Sequence, residues 1–418
     1  MQADTSPARP GLSRPGVAAA AIAIFITLGL PDGMLGAVWP AMRADLRLPI
    51  DALGVLLMGS SAGFLATSVL SGMVVGRLGV RRAVLVAAAS TLAGSLAIAS
   101  GSLLLLLTAG AVILGACAGV LDPCLSAAAS VQNRHRLVNL LHGGYGFGAA
   151  LAPLLVTAAI AAGTWRAAYA ALALLECAIT AWWGASTAPD RDNLSLSAPT
   201  SAQKPTNEPT GARLRSAGRE PAAYLGMAAF FFAGGLEIAA GAWAATYLRD
   251  LLGLSAGLTG AGVFAYWASL TASRVAAGTL PHRQGPRQLV VAGSLAATAG
   301  AALLWWRPNH MVAVAGLLVA GCGLGPVYPG LTSLTPSRVG RSLATQLIGW
   351  QLGAGAVGSA VLPSAVGVGL QHGGLGLTGP LLTVLALVTV VVTITLDCVS
   401  RRARLSSGGD HAGSPARP

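Results

Sequence analysis

Long stretches of the sequence contain no charged residue. Ala83 to Leu121 and Ser342 to Leu396 carry no Asp, Glu, Lys or Arg. Of the 418 residues, 54% are hydrophobic and only 10% are charged, against about 25% charged in an ordinary soluble domain. A bilayer accommodates this excess, because each spanning helix needs about 20 mostly apolar residues. Since backbone polar groups in a bilayer must be bonded internally, the sequence predicts membrane-spanning helices.

The apolar runs predict twelve spans and hence an all-α integral membrane protein. The predicted bounds are 17–39, 53–76, 83–100, 103–126, 138–162, 166–187, 222–248, 256–280, 289–306, 310–333, 342–369 and 377–397. Gly101-Ser102 predicts a turn inside one charge-free stretch, and Gln371–Gly376 predicts a break inside the other. The first run is too long for a signal-peptide core, so we interpret it as an uncleaved first helix.

A polar segment separates two groups of six spans. Residues 188–221 are rich in Pro, Ser, Thr and charge, which predicts a flexible cytoplasmic linker. The linker divides an N-terminal bundle over 17–187 from a C-terminal bundle over 222–398, with polar tails at 1–16 and 399–418.

The distribution of Lys and Arg predicts the orientation. With both termini inside, the inner segments hold 20 of the 26 basic residues, the outer loops hold five, and Arg274 lies within a span. Cytoplasmic loops carry such an excess of basic residues. The sequence therefore predicts a multi-pass protein of the cell (inner) membrane with both ends cytoplasmic. The net charge of +12 is accounted for by these loops, so we predict no nucleic-acid partner.

The two halves repeat three sequence patterns in the same order, at offsets of 205 or 206 residues. The pairs are Gly72-x4-Arg77-x-Gly79-x-Arg81 with Gly278-x4-Arg283-x-Gly285-x-Arg287, Gly115-x3-Gly119-x3-Pro123 with Gly321-x3-Gly325-x3-Pro329, and Asp32-x3-Gly36 with Glu237-x3-Gly241. Such a repeat predicts two parallel six-helix bundles around a central cavity. Glycines four residues apart let helices approach closely, and Pro123 and Pro329 predict bends.

The loop from Gly72 to Arg82 is similar to the signature loop of the major facilitator superfamily, where it lies between the second and third spans. The six-plus-six layout extends this resemblance over nearly the whole chain. It implies transport by alternating access and a gating role for Gly72, Arg77, Gly79 and Arg81. The chain departs from the pattern at Gly76, where an acid is usual.

Two further segments resemble the fucose-permease-like branch of that superfamily, a group of sugar:proton symporters. They are Gly29-Leu30-Pro31-Asp32-Gly33 with Trp39-Pro40, and Leu141-His142-Gly143-Gly144-Tyr145-Gly146-Phe147-Gly148 with Pro153. The resemblance implies that acids in the first and fourth spans bind protons and substrate, which here are Asp32 and Asp122.

Ionisable residues inside predicted spans mark a transport pathway by default, because a charge in lipid is costly. The candidates for proton coupling or substrate binding are Asp32, Asp122, His142, Glu237 and Arg274. Structural alternatives stay open for each. Arg274 could only neutralise an acid, His142 could be a packing residue, and Asp122 could brace the helix at Pro123. Glu176 is interpreted as structural or interfacial, and Asp397 as an interfacial residue of little consequence.

Aromatic and amide side chains suit polar, ring-shaped solutes. The residues predicted to line the substrate cavity are Tyr145, Trp243, Tyr247, Trp350 and Gln351, with Trp39, Tyr266, Trp267, Tyr328 and Gln346 on the same helices. The alternative is that these rings serve as interfacial anchors.

These features predict a monomeric, proton-coupled carrier for a small sugar-like solute. The alternative is an efflux carrier for a drug or secondary metabolite, although Ala152-Pro153-Leu154-Leu155-Val156-Thr157 lacks the final glycines of the usual antiporter signature. A membrane enzyme or sensor is the third possibility. No nucleotide loop, catalytic triad or metal-ligand spacing occurs in the sequence, and none of the five cysteines forms a CxxC pair. We therefore predict no enzyme activity and no cofactor.

Overall fold

The computed structural model describes residue 12 and residues 14–131, 135–187, 221–279, 285–307, 309–339 and 341–409. Almost all of the predicted linker, most of the predicted N-terminal tail and residues 410–418 of the predicted C-terminal tail lie outside the described residues. Within the described ranges the regular elements are helices, without any strand. The α-helices are α1 (Pro15–Leu46), α2 (Ala52–Ser100), α3 (Leu104–Val131), α4 (His135–Ala161), α5 (Arg166–Thr187), α6 (Pro221–Thr246), α7 (Ala256–Thr279), α8 (Pro286–Trp306), α9 (His310–Leu324), α10 (Val327–Val339), α11 (Arg341–Gly373) and α12 (Thr378–Gly409).

Several helix starts are encoded by their first residues. Pro15, Pro221 and Pro286 each open a helix, where the missing N–H of proline costs no hydrogen bond. Asn309 precedes α9, and its side chain accepts a hydrogen bond of 3.0 Å from the backbone N–H of Val312. A π-helical turn (Tyr247–Leu251) extends α6, and a 3₁₀ turn (Leu375–Leu377) precedes α12.

The 49-residue α2 contains the predicted second and third spans. Gly79 interrupts it with φ 72° and ψ 158°, a backbone conformation that favours glycine. A straight helix of that length would rise about 73 Å, more than twice the thickness of a bilayer core of about 30 Å. Gly79 therefore divides α2 into two shorter helices.

The breaks in the other long apolar stretches agree with the sequence in two places and differ in one. The turn at Gly101-Ser102 and the break near Gly374 are confirmed, since α2 ends at Ser100 and α11 ends at Gly373. The predicted tenth span, 310–333, is instead two helices separated at Gly325–Pro326. Pro329 lies in the first turn of α10, and its missing N–H leaves the carbonyl oxygen of Gly325, four residues earlier, without a helical hydrogen bond. The helix therefore breaks four residues before the proline that was predicted to bend it.

Ten helical segments in the described part of the chain are long and apolar enough to cross a membrane. In that set α2 is a single segment, α9 and α10 are joined, and α7, which carries Arg274 and several hydroxyl side chains, is not included. The protein is thus a multi-pass, all-helical membrane protein, and the count of twelve spans stays a prediction.

The chain forms two compact units. The first comprises residues 1–203 and 248–264, and the second comprises residues 204–247 and 265–418. In the first unit α2 packs against α3 and α5, while α1 packs against α4 and α5. In the second unit α8 packs against α9, α10 and α12, while α6 packs against α11 and α12.

Glycines of the sequence repeat make equivalent close contacts within each unit. A Cβ atom added at Gly115 of α3 would overlap the carbonyl oxygen of Ser60 in α2. A Cβ atom added at Gly321 of α9 would overlap the carbonyl oxygen of Tyr266 in α7. Ser60 and Tyr266 are themselves 206 residues apart, as are the two glycines. In each unit the glycine lets two helix backbones touch, which a larger residue would prevent.

Candidate functional site

Close packing of α1 on α4 determines where Asp32 lies. Cβ atoms added at Gly29 or Gly33 of α1 would overlap the carbonyl oxygens of Tyr145 or Ala149 in α4. A Cβ atom at Gly148 of α4 would in turn overlap the backbone of α1. Glycines on both helices therefore bring the two backbones into contact on either side of Asp32.

This packing places the phenol of Tyr145 against the carboxylate of Asp32. The Tyr145 hydroxyl donates a hydrogen bond to Asp32 Oδ2, although the two residues are 113 positions apart. Asp32 is nevertheless exposed within its own unit. Pro31, the residue before it, removes one backbone donor from the middle of α1, so the helix is locally weakened beside the acid.

His142 and Asp122, which the sequence predicts to share a proton, make their contacts with different residues. His142 is exposed on α4 and its ring meets Phe25 of α1 edge-on, with 5.5 Å between centroids. Asp122 of α3 accepts a hydrogen bond of 3.0 Å from Ser126, one turn further along the same helix. No hydrogen bond joins His142 to Asp122 in the part of the chain that is described. Their shared proton stays a prediction.

In the second unit Glu237 of α6 forms an ion pair with Arg274 of α7. Arg274 Nη2 lies 2.7 Å from Glu237 Oε2, and Arg274 Nε donates to the carbonyl oxygen of Gly325 at 3.2 Å. That carbonyl is available because Pro329, four residues later, has no N–H to bond it. The Tyr266 hydroxyl donates to the backbone carbonyl of Glu237 at 2.7 Å, which fixes α6 beside α7. Arg274 thus pairs with the acid, and a role of the pair in proton coupling or substrate binding stays a prediction.

Most residues predicted to line a substrate cavity are buried within the second unit and already bonded there. Trp243 is 0% exposed and donates to the carbonyl of Pro363 at 2.9 Å. Tyr247 is buried and donates to the carbonyl of Leu304 at 2.7 Å.

The amide of Gln351 is also buried, and it accepts a hydrogen bond of 2.8 Å from Thr335. Trp350 is half-buried against Ala223 and Leu347. Substrate contact by these residues therefore stays a prediction, and Tyr145 is the predicted cavity residue that the structure joins to an embedded acid.

Comparison with known proteins decides the family. The sequence profile of the Major Facilitator Superfamily matches residues 20–363, most of the chain. The chain belongs to the Major Facilitator Superfamily. Uncharacterized MFS-type transporters of Burkholderia pseudomallei (strain 1106a) and Burkholderia mallei (strain SAVP1) are each 31% identical over 134 residues, which is 30% of this chain and 33% of theirs. The match thus spans about a third of the length of these curated relatives.

Solved structures of the superfamily share this fold. A mutant of the nucleoside transporter NupG superposes with a TM-score of 0.72 at 13% identity, covering 91% of this chain and 98% of that one. A D-xylose-proton symporter gives a TM-score of 0.73 at 13% identity, with 91% and 96% covered. FucP in the outward conformation gives 0.61 at 14% identity, with 91% and 98% covered. At these identities the likeness shows the fold alone.

The superfamily signature loop holds the end of α5 in this chain. Arg81 follows the non-helical Gly79, and its Nε donates to the hydroxyl of Thr187 at 3.1 Å. Its Nη2 donates to the carbonyl of Gly184 at 3.4 Å, so the arginine caps a helix C-terminus. Gly72 and Arg77 are exposed, and their gating role stays a prediction.

Asp397 has a larger role than its position at the end of a predicted span suggested. Its side chain is 7% exposed and lies 2.6 Å from both Arg287 Nε and Arg338 Nη2. The interpretation that this acid has little consequence was wrong, because the two arginines converge on it from α8 and α10. The sequence shows that Arg287 is the repeat counterpart of Arg81, and the structure shows that each of them bonds near the end of the last helix in its unit.

Glu176 is also buried among the helices of its unit. It is 3% exposed on α5 and accepts a hydrogen bond of 2.8 Å from Ser95 of α2. Its burial places a carboxyl group inside the first unit.

Proposed function

We propose that this chain is a secondary active transporter that moves a small, polar, sugar-like solute by alternating access, with protons as the coupling ion. The observation that carries the proposal is the exposed carboxylate of Asp32 in the middle of an apolar helix, bonded by Tyr145. An acid at that depth is too costly to face lipid, so it faces a water-filled path.

Proton binding at Asp32 would change the charge of that path at one point. A bound proton cancels the charge of the carboxylate and leaves a group that can still hydrogen-bond to Tyr145. Loading and release of the proton on opposite sides of the membrane would couple solute movement to the proton gradient. Asp122, which accepts a hydrogen bond from the neutral hydroxyl of Ser126, is the second candidate for this role.

The Glu237–Arg274 pair supports a different role for the acid in the second unit. Arg274 compensates the charge of Glu237, so the pair can remain in a span without binding a proton. We propose that it is a fixed element that positions α6 against α7, and that its remaining hydrogen-bonding capacity serves solute recognition.

Two further observations support a sugar-like solute. Tyr145 offers an aromatic ring beside a carboxylate, which suits the hydroxyl groups and apolar face of a sugar-like ring. Two of the solved structures with this fold are named as a nucleoside transporter and a D-xylose-proton symporter, both of which take polar ring-shaped solutes.

We further propose that the two units are parallel repeats of six spans. The supporting observations are the matched contacts of Gly115 with Ser60 and of Gly321 with Tyr266, at one common offset. The order of helix packing is also matched, since α1 on α4 and α5 corresponds to α6 on α11 and α12.

The proposed orientation, with both termini and the linker cytoplasmic, predicts a labelling pattern. Single cysteines are placed at Ser201 and at Ser255 in a background that lacks the five native cysteines. Ser255 is exposed and lies in the segment between α6 and α7. The neighbouring Gly253 is not used, because its φ of 70° disfavours a cysteine. An impermeant thiol reagent applied to intact cells is expected to label position 255 and to spare position 201. Labelling of 201 alone would reverse the orientation.

Counterflow tests the proposed substrate class. Proteoliposomes that hold the purified protein are preloaded with one unlabelled solute and diluted into trace labelled solute, over a panel of sugars, nucleosides and amphipathic drugs. Exchange is expected for polar ring-shaped solutes. Exchange of amphipathic drugs alone would instead favour the efflux carrier.

A further inference from the structure

Glu176 is a buried acid that the proposed transport cycle does not yet use. Its side chain lies in the interior of the first unit, where α5 packs against α2. The residue is 3% exposed, whereas Asp32 in the same unit is exposed. Water therefore does not solvate this carboxyl group in the conformation described.

The groups around Glu176 are neutral. Ser95 of α2 donates to Glu176 Oε2 at 2.8 Å. The hydroxyl of Thr91, one turn earlier and also near the carboxyl group, donates its hydrogen to the carbonyl of Ala88 at 2.6 Å. From α3 the thiol of Cys117 lies close enough to interact electrostatically. On α5 itself the hydroxyl of Thr180, one turn beyond Glu176, is buried without a hydrogen-bond partner among the described residues.

This setting differs from that of the other well-buried acids. Glu237 is paired with one arginine, and Asp397 with two. No ion pair reaches Glu176 in the part of the chain that is described. The one hydrogen bond that Ser95 donates offsets only part of the cost of burying a charge, and a buried carboxylate without a cation is among the most costly groups in a protein. The neutral acid avoids that cost and can still bond to Ser95, because a hydroxyl both donates and accepts.

We propose that Glu176 is a further proton-binding site of the first unit, besides Asp32 and Asp122, and that it holds its proton in this conformation. Tyr169 connects this site with Asp32. It is buried on α5 two turns before Glu176, a rise of about 10 Å, and α5 packs against α1, the helix that carries Asp32. One helix thus runs past both acids. The proposal that Glu176 takes part in the transport cycle rests on the proton-coupled function proposed above. The proposal that Glu176 is protonated in this conformation does not.

Infrared spectroscopy of the reconstituted protein tests the protonation directly. A protonated carboxylic acid has a carbonyl stretch separate from the amide bands, and this stretch shifts in deuterated water. We expect one such band in the wild type at neutral pH. It should be lost in Glu176→Gln and should remain in Asp32→Asn. Cys177→Ser, at an exposed neighbour on α5, is the matched control and should leave the band unchanged.

A second variant keeps the test decisive if Glu176→Gln folds poorly. Ser95→Ala removes the hydrogen bond to Glu176 and is expected to move the band to higher frequency. The wild type, Glu176→Gln and Ser95→Ala could instead give the same spectrum where protonated carboxylic acids absorb. In that case Glu176 is ionised and the proposal fails. Because the readout needs no transported solute, a failure of the transport proposal would leave this result standing.

Discussion

Replacing Asp32 with asparagine is expected to abolish proton-driven accumulation of solute while solute exchange continues. Asparagine keeps the size of the side chain and its bond with Tyr145, but it cannot bind or release a proton. A pH gradient of about one unit supplies about 1.4 kcal/mol per proton, which sustains roughly tenfold accumulation for one proton per solute. In Asp32→Asn we expect the internal solute concentration to rise no higher than the external one, as measured in proteoliposomes with an imposed pH gradient.

Asp45→Asn is the matched control for this prediction. Asp45 lies on the same helix, near its C-terminus, and pairs with Arg166 and Trp165 rather than with a phenol. The variant is expected to accumulate solute normally. Equal accumulation by Asp32→Asn and Asp45→Asn would remove Asp32 from the coupling mechanism.

Asp122→Asn separates the two interpretations of the second acid. A coupling acid should lose accumulation and keep exchange, as Asp32 does. An acid that only braces α3 through Ser126 should lose expression, accumulation and exchange together.

Replacing Gly115 with alanine is expected to destabilise the protein by about 1–3 kcal/mol or more, because a methyl group would overlap the backbone of α2 at Ser60. A backbone atom cannot rotate away, so α2 and α3 must separate. Gly321→Ala should have a comparable effect through Tyr266 in the second unit. The measurement is the thermal unfolding of the purified variants in detergent.

Gly72→Ala is the control for both glycine variants. No atom lies within 4 Å of a Cβ placed at Gly72, and alanine is the better helix former by about 0.8–1.0 kcal/mol. This variant should be as stable as the wild type or more so. If Gly115→Ala and Gly321→Ala unfold at the same temperature as Gly72→Ala, the glycines do not hold the helices together.

The sequence was informative about local structure because breaks and close contacts have local causes. The turn at Gly101-Ser102 and the break near Gly374 follow from short polar or glycine-rich segments between apolar runs. Glycines at four-residue spacing predicted close helix contacts, although they did not say which helices touch. The break at Gly325–Pro326 was predicted only as a bend, because the sequence alone does not say whether a proline bends a helix or divides it in two.

The partners of the polar residues could not be predicted in the same way. The bond between Tyr145 and Asp32 joins positions 113 apart, and it depends on the register of two packed helices. Asp397 resembled an interfacial acid until Arg287 and Arg338, far away in the sequence, were placed beside it. Trp243 is an aromatic residue of the kind that lines substrate cavities, but its indole N–H donates a hydrogen bond to a backbone carbonyl of its own unit. Long-range pairing of this kind is set by tertiary packing rather than by local pattern.

Substrate-driven proton movement tests the coupling proposal most directly. Proteoliposomes containing the protein and a trapped pH-sensitive dye are mixed with a solute identified by counterflow, with no gradient imposed beforehand. If protons and solute move together, entry of the solute acidifies the lumen in the wild type and has no such effect in Asp32→Asn. A lumen that becomes alkaline would indicate antiport, and an unchanged internal pH during solute entry would contradict proton coupling at Asp32.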